Sequence, residues 1–190
     1  MSRQFFFFDQ PRRFIVGTVG QPGERVFYLQ AVDDGRVVSV ALEKSQVLVL
    51  AERLEQLLHE VASRSGFELP EAVAPDTRPL DSPIDEEFRV AAMGLAYDTD
   101  SGLVIIEAQA PAESAEEAEA SLLEDTEDGP DALRVRLAKQ AAVDFVERAR
   151  RVIAAGRPPC PLCNEPLDSG GHVCPRSNGY RRQARLGSGD

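Results

Sequence analysis

Residues 40–58 read VALEKSQVLVLAERLEQLL, and residues 135–153 read VRLAKQAAVDFVERARRVI. Each stretch leaves a strand-like run, passes a short turn carrying lysine, and enters a run whose apolar residues recur at helical spacing. In the first, Ser45 is placed to cap a helix of about 17 residues that ends near Gly66. Val47, Leu50, Leu54, Leu57, Leu58 and Val61 lie on one face of it, and Glu52, Arg53, Glu55 and Gln56 on the other. In the second, Ala142, Phe145, Val146, Ala149, Val152 and Ile153 make the apolar stripe. A chain that passes twice from strands into an amphipathic helix predicts an α+β fold with both helices on one face of mainly antiparallel sheet.

The strands follow from the same periodicity. Runs at Gln4 to Phe8, Arg13 to Val19, Arg25 to Val32 and Arg36 to Leu42 are separated by Gly20-Gln21-Pro22-Gly23 and Asp33-Asp34-Gly35. The Asp-Gly pair suits a tight hairpin, so the third and fourth runs should pair directly. Residues 69–84 contain four prolines and little periodicity, which marks a connector. Phe88 to Tyr97, Gly102 to Ala108, and the alternating Leu133, Val135 and Leu137 complete about seven strands. The order suggests a ββββα unit followed by a βββα unit. Residues 111–131 interrupt the second unit. From Glu113 to Asp131 there are nine acids and no base, which reads as a mobile acidic loop.

Apolar residues make 43% of the chain and charged residues 28%, the balance of a globular protein. Residues 1–156 are expected to form the body and residues 157–190 a tail with a disordered end. No apolar run approaches the roughly 20 residues of a membrane span, and the start, MSRQFFFFDQPRR, lacks the features of an export signal. A cytoplasmic location is expected, with no membrane partner. The net charge of −11 disfavours a body that wraps nucleic acid.

All three cysteines and one of the two histidines fall in the tail, as Cys160-Pro-Leu-Cys163 and His172-Val-Cys174. Three cysteines in a chain without an export signal fit metal thiolates better than a disulfide framework. Zn²⁺ takes four thiolate or imidazole ligands tetrahedrally, and two intervening residues let one turn present two of them. Cys160, Cys163, His172 and Cys174 are therefore the expected ligands of a zinc knuckle. Four protein ligands leave no position for water, so the zinc is expected to be structural. Three cysteines that merely pack, or a C-x-x-C redox pair, are the competing readings. The pair does not open a helix and so lacks that source of thiolate activation.

Beyond the last ligand, Arg176, Tyr180, Arg181 and Arg182 form a basic display suited to an anion, an acidic protein surface or a stacked base. It equally suits the acidic body of the same chain. Arg12 and Arg13 form a second basic turn near the start.

Taken with FDQPRRFIVGTVGQPGERVFYLQA near the start, the CPLC, GH-x-CPR and NGYRR elements resemble an actinobacterial family of unknown function that includes ParJ-like proteins. The resemblance runs nearly the whole chain. It implies a non-enzymatic regulatory protein whose partner is a ParA-type ATPase in chromosome segregation. Two alternatives come from other classes. Strand-rich units followed by a helix are analogous to the Whirly and Pur single-strand binders, with Phe27 and Tyr28 available to stack if they face outward. An enzyme acting on a small anion would need Arg12 and Arg13 to meet Arg176, Arg181 and Arg182 in one pocket.

Overall fold

The computed structural model describes residues 3–21, 23–73, 76–126, 128–156, 160, 162, 163 and 174. Among them lie eight strands and three helices: β1 (Phe5–Asp9), β2 (Arg13–Val19), β3 (Val26–Asp33), β4 (Arg36–Leu42), α1 (Lys44–Ser65), β5 (Glu86–Arg89), β6 (Ala92–Asp98), β7 (Leu103–Gln109), α2 (Ala115–Ser121), β8 (Ala132–Leu137) and α3 (Lys139–Ala154). The α+β class holds. The sheet arrangement is richer than alternation alone suggests, with two four-stranded sheets ordered β2-β3-β4-β5 and β1-β8-β7-β6.

Each sheet is an antiparallel meander closed by a parallel strand from the other half. β5 runs parallel to β4, and β1 runs parallel to β8. The exchange is reciprocal: the first strand of each half pairs with the fourth strand of the other. The second half is therefore also ββββα, with α2 inserted between its third and fourth strands. Its missing strand was hidden in Phe88 to Tyr97, which the structure divides between sheets. Val90 N donates to Ala41 O at 2.8 Å while Ala91 N donates to Gln109 O at 2.8 Å, so the crossing takes one peptide. At the other exchange Gln10, with φ 51°, donates to Arg136 O before Pro11 starts the turn into β2.

The expected β3–β4 hairpin forms, with Asp33 opposite Arg36 and positive φ at Asp34 and Gly35. α1 starts earlier than expected. Glu43, not Ser45, is its N-cap, and Glu43 and Gln46 satisfy each other's backbone N–H groups in a capping box. The helix has 22 residues and ends where Gly66 adopts φ 67°, its N–H donating to Ala62 O at 2.9 Å.

The buried stripes of α1 and α3 join the inner faces of both sheets in one core. α1 and α3 pack on each other, α3 lies on β2 and α1 on β6. Phe14 stacks on Phe145 at 5.0 Å between ring centroids, tying β2 to α3.

The outer faces are strapped. Within residues 69–84 Leu80 packs against Gly17, and Asp81 N donates to Gln30 Oε1 at 2.7 Å. In the acidic stretch 111–131, read from sequence as a loop, Ser114 caps α2 by accepting from Glu117 N. Glu116 and Glu117 favour its first turn. Leu122 and Leu123 then pack against Gly94 over the other sheet. No helix among the described residues is long and apolar enough to cross a membrane.

Candidate metal centre

Cys160, Cys163 and Cys174 come together although ten or more residues separate the last from the first pair. Their three Sγ atoms all lie within 4.8 Å of one another. Cys160 and Cys174 are buried and Cys163 is half-buried. Cys160 Sγ and Cys174 Sγ are 3.8 Å apart, far beyond the roughly 2.05 Å of a disulfide. A tetrahedral ion with Zn–S bonds of about 2.3 Å would set its sulfurs about 3.8 Å apart. The donor set thus fits a soft, thiolate-seeking ion such as Zn²⁺.

The turn at Leu162 and Cys163 prepares the first sulfur. Backbone N–H groups of Cys163 and then Leu162 point at Cys160 Sγ and lower its thiol pKa, against a smaller opposing effect of burial. Two donors from one short loop favour the anion that a metal ligand must become. His172, expected as the fourth ligand, lies outside the described residues, as do Arg176, Tyr180, Arg181 and Arg182.

The N-terminal arginines part company. Arg12 is exposed, and its backbone N–H donates to Asp33 Oδ1 at 3.2 Å. Arg13 is buried, and its guanidinium is already engaged. Nε meets Asp76 at 2.6 Å, Nη1 meets Asp81 at 2.9 Å, and Nη2 donates to Arg78 O at 3.0 Å. That bonding fixes the strap over the first sheet. Arg13 also holds the Asp76 carboxyl well below the usual carboxylate range, with Arg78 adding to the effect. Arg148 of α3 completes the anchor by donating to Val16 O at 2.8 Å and to the carbonyls of Asp76 and Arg78. Of the aromatic pair, Phe27 is buried in the core and Tyr28 is half-buried.

Buried polar pairs went unrecognised in the sequence. In β3–β4, Gln30 faces Ser39 and donates to its Oγ at 3.0 Å. At the corresponding place in β7–β8, Glu107 faces Arg134 and accepts from its Nε at 2.5 Å. Arg3 Nη2 approaches the same carboxylate at 3.5 Å, and Arg134 also pairs with Asp125. The available signal was a polar residue within an apolar strand, in FYLQAV and VIIEAQ. These pairs hold straps and do not converge with the thiols among the described residues.

No curated protein and no solved structure matches the chain significantly. A family model does, covering residues 6–174, from the second residue of β1 to the third cysteine. The chain therefore belongs to the family of proteins of unknown function DUF3090.

Proposed function

We propose that this chain is a non-enzymatic, cytoplasmic regulatory protein whose tail folds around structural zinc and docks on a protein partner, a ParA-type ATPase. The observation that carries the proposal is the convergence of Cys160, Cys163 and Cys174 at the spacing of a tetrahedral thiolate site. His172 is the natural fourth ligand, being two residues before Cys174. A closed site of this kind supplies folding energy and no reaction centre. The basic residues from Arg176 to Arg182 follow directly and would be presented by the folded knuckle to an acidic surface. The choice of a ParA-type ATPase draws on the similarity to ParJ-like proteins.

The test is sedimentation of nucleotide-bound ParA-type ATPase polymer with and without this chain. Zinc-loaded wild type should change the pelleted fraction, and Cys174→Ser should lose most of that effect. An unchanged pellet with the wild-type chain would contradict the partner assignment.

A further inference from the structure

Lys44 and Lys139 are the first residues of α1 and α3 and hold corresponding places in the two halves. Their surroundings differ. Lys139 Nζ lies 4.3 Å from the ring centroid of Phe67 and 5.6 Å from that of Tyr97, so aromatic faces enclose its charge. Phe67 directly follows the Gly66 cap of α1. Gly156 directly follows the Ala155 cap of α3 and brings no side chain to the matching place beside Lys44.

A cleft of about 210 Å³ stands there, lined by Gly23, Arg25, Phe27, Glu43, Lys44 and Gly156. A methyl built on Gly156 would lie 3.4 Å from Lys44 Nζ, 3.6 Å from Arg25 Nη2 and 3.4 Å from Ile153 O, so both cations converge on the side of the cleft beside the last turn of α3. Neither has a carboxylate partner among the described residues. Arg25 donates to Ala155 O at 3.1 Å and lies over Phe27. Glu43, the acid in the lining, is turned to its capping box and to Arg89 at 3.4 Å. Two like charges with no ion-pair partner among the described residues, neighboured by the carbonyl end of α3, still repel each other, and an anion between them converts that repulsion into two attractions. The first turn of α1 adds positive potential at Lys44, and the C-terminal carbonyls of α3 oppose it at Arg25, which donates to one of them.

We propose that this cleft binds an oxyanion, a phosphoryl or carboxylate group, between the guanidinium of Arg25 and the ammonium of Lys44. Arg25 offers a planar fork and Lys44 a mobile point charge, a combination that suits two oxygens of one group.

The test is an NMR titration of the ¹⁵N-labelled, zinc-loaded full chain at constant ionic strength set with chloride. Inorganic phosphate and acetate are added in separate series, following the Lys44 and Ser45 amides and the Arg25 Nε–H. Saturable shifts at these groups are expected, with affinity lowered at least about tenfold in Lys44→Gln and in Arg25→Gln. Lys139→Gln removes the same charge from the enclosed counterpart and should bind like wild type. Tighter binding of phosphate assigns a phosphoryl ligand, and tighter binding of acetate a carboxylate. Absence of a saturable shift with both anions, or an equal loss in Lys139→Gln, overturns the site.

Discussion

Glu107 has no exposed surface, yet it stands in the middle of an apolar strand with Arg134 on one carboxylate oxygen and Arg3 near the other. Such a group is retained because its partners are buried with it. Replacing Glu107 by Ala takes the shared carboxylate from two buried guanidinium groups, leaving Arg134 with Asp125 and Arg3 with Thr126, and should cost about 3–5 kcal/mol in urea denaturation. The double change Glu107→Leu with Arg134→Leu should cost less than Glu107→Ala alone. Asp76 makes a different prediction because its carboxyl is depressed by Arg13. A depressed carboxyl contributes stability above its unfolded pKa of about 3.9 and loses it as pH falls toward the folded value. Asp76→Asn should therefore destabilise by about 1–2 kcal/mol at neutral pH. The gap from wild type should narrow below about pH 4. The convergence of the three thiols was legible because soft side chains cluster for few reasons. The roles of Glu107 and Arg13 were not, since nothing local marks which polar residue will be buried.

At the scale of elements, the hairpins and the two long helices were legible because their signals are local, whereas α2 was read as loop. Asp34-Gly35 sets positive φ, and Val47, Leu50, Leu54, Leu58 and Val61 mark the buried face of α1. The division of Phe88 to Tyr97 between two sheets has no such signal, since Val90 and Ala91 carry no turn chemistry. Long-range pairing alone decides it. The straps follow from close packing. A Cβ on Gly17 would lie 2.6 Å from Leu80 Cγ, so Gly17→Ala must displace the leucine and should cost about 1–3 kcal/mol. Combining it with Leu80→Ala should be less damaging than the sum of the single changes, as a double-mutant cycle would show.

At the scale of the whole molecule, each sheet needs a strand from the other half. Parallel partners so distant in sequence leave no trace in periodicity, which is why the exchange of β1 and β5 could not be read beforehand. It makes a firm prediction about cooperativity. Chains covering residues 1–70 and 71–190 should each be largely unfolded alone, and should regain the circular dichroism of the intact protein when expressed together. Cys160, Cys163 and Cys174 lie outside the exchanged strands, so the proposed metal site can be tested separately from them. Metal analysis with thermal melting of the full chain, wild type beside Cys174→Ser, tests the central claim most directly. Wild type should carry a single zinc per chain, and the variant should lose it while residues 1–156 still melt cooperatively. A wild-type chain purified without chelator and free of bound zinc would contradict the account.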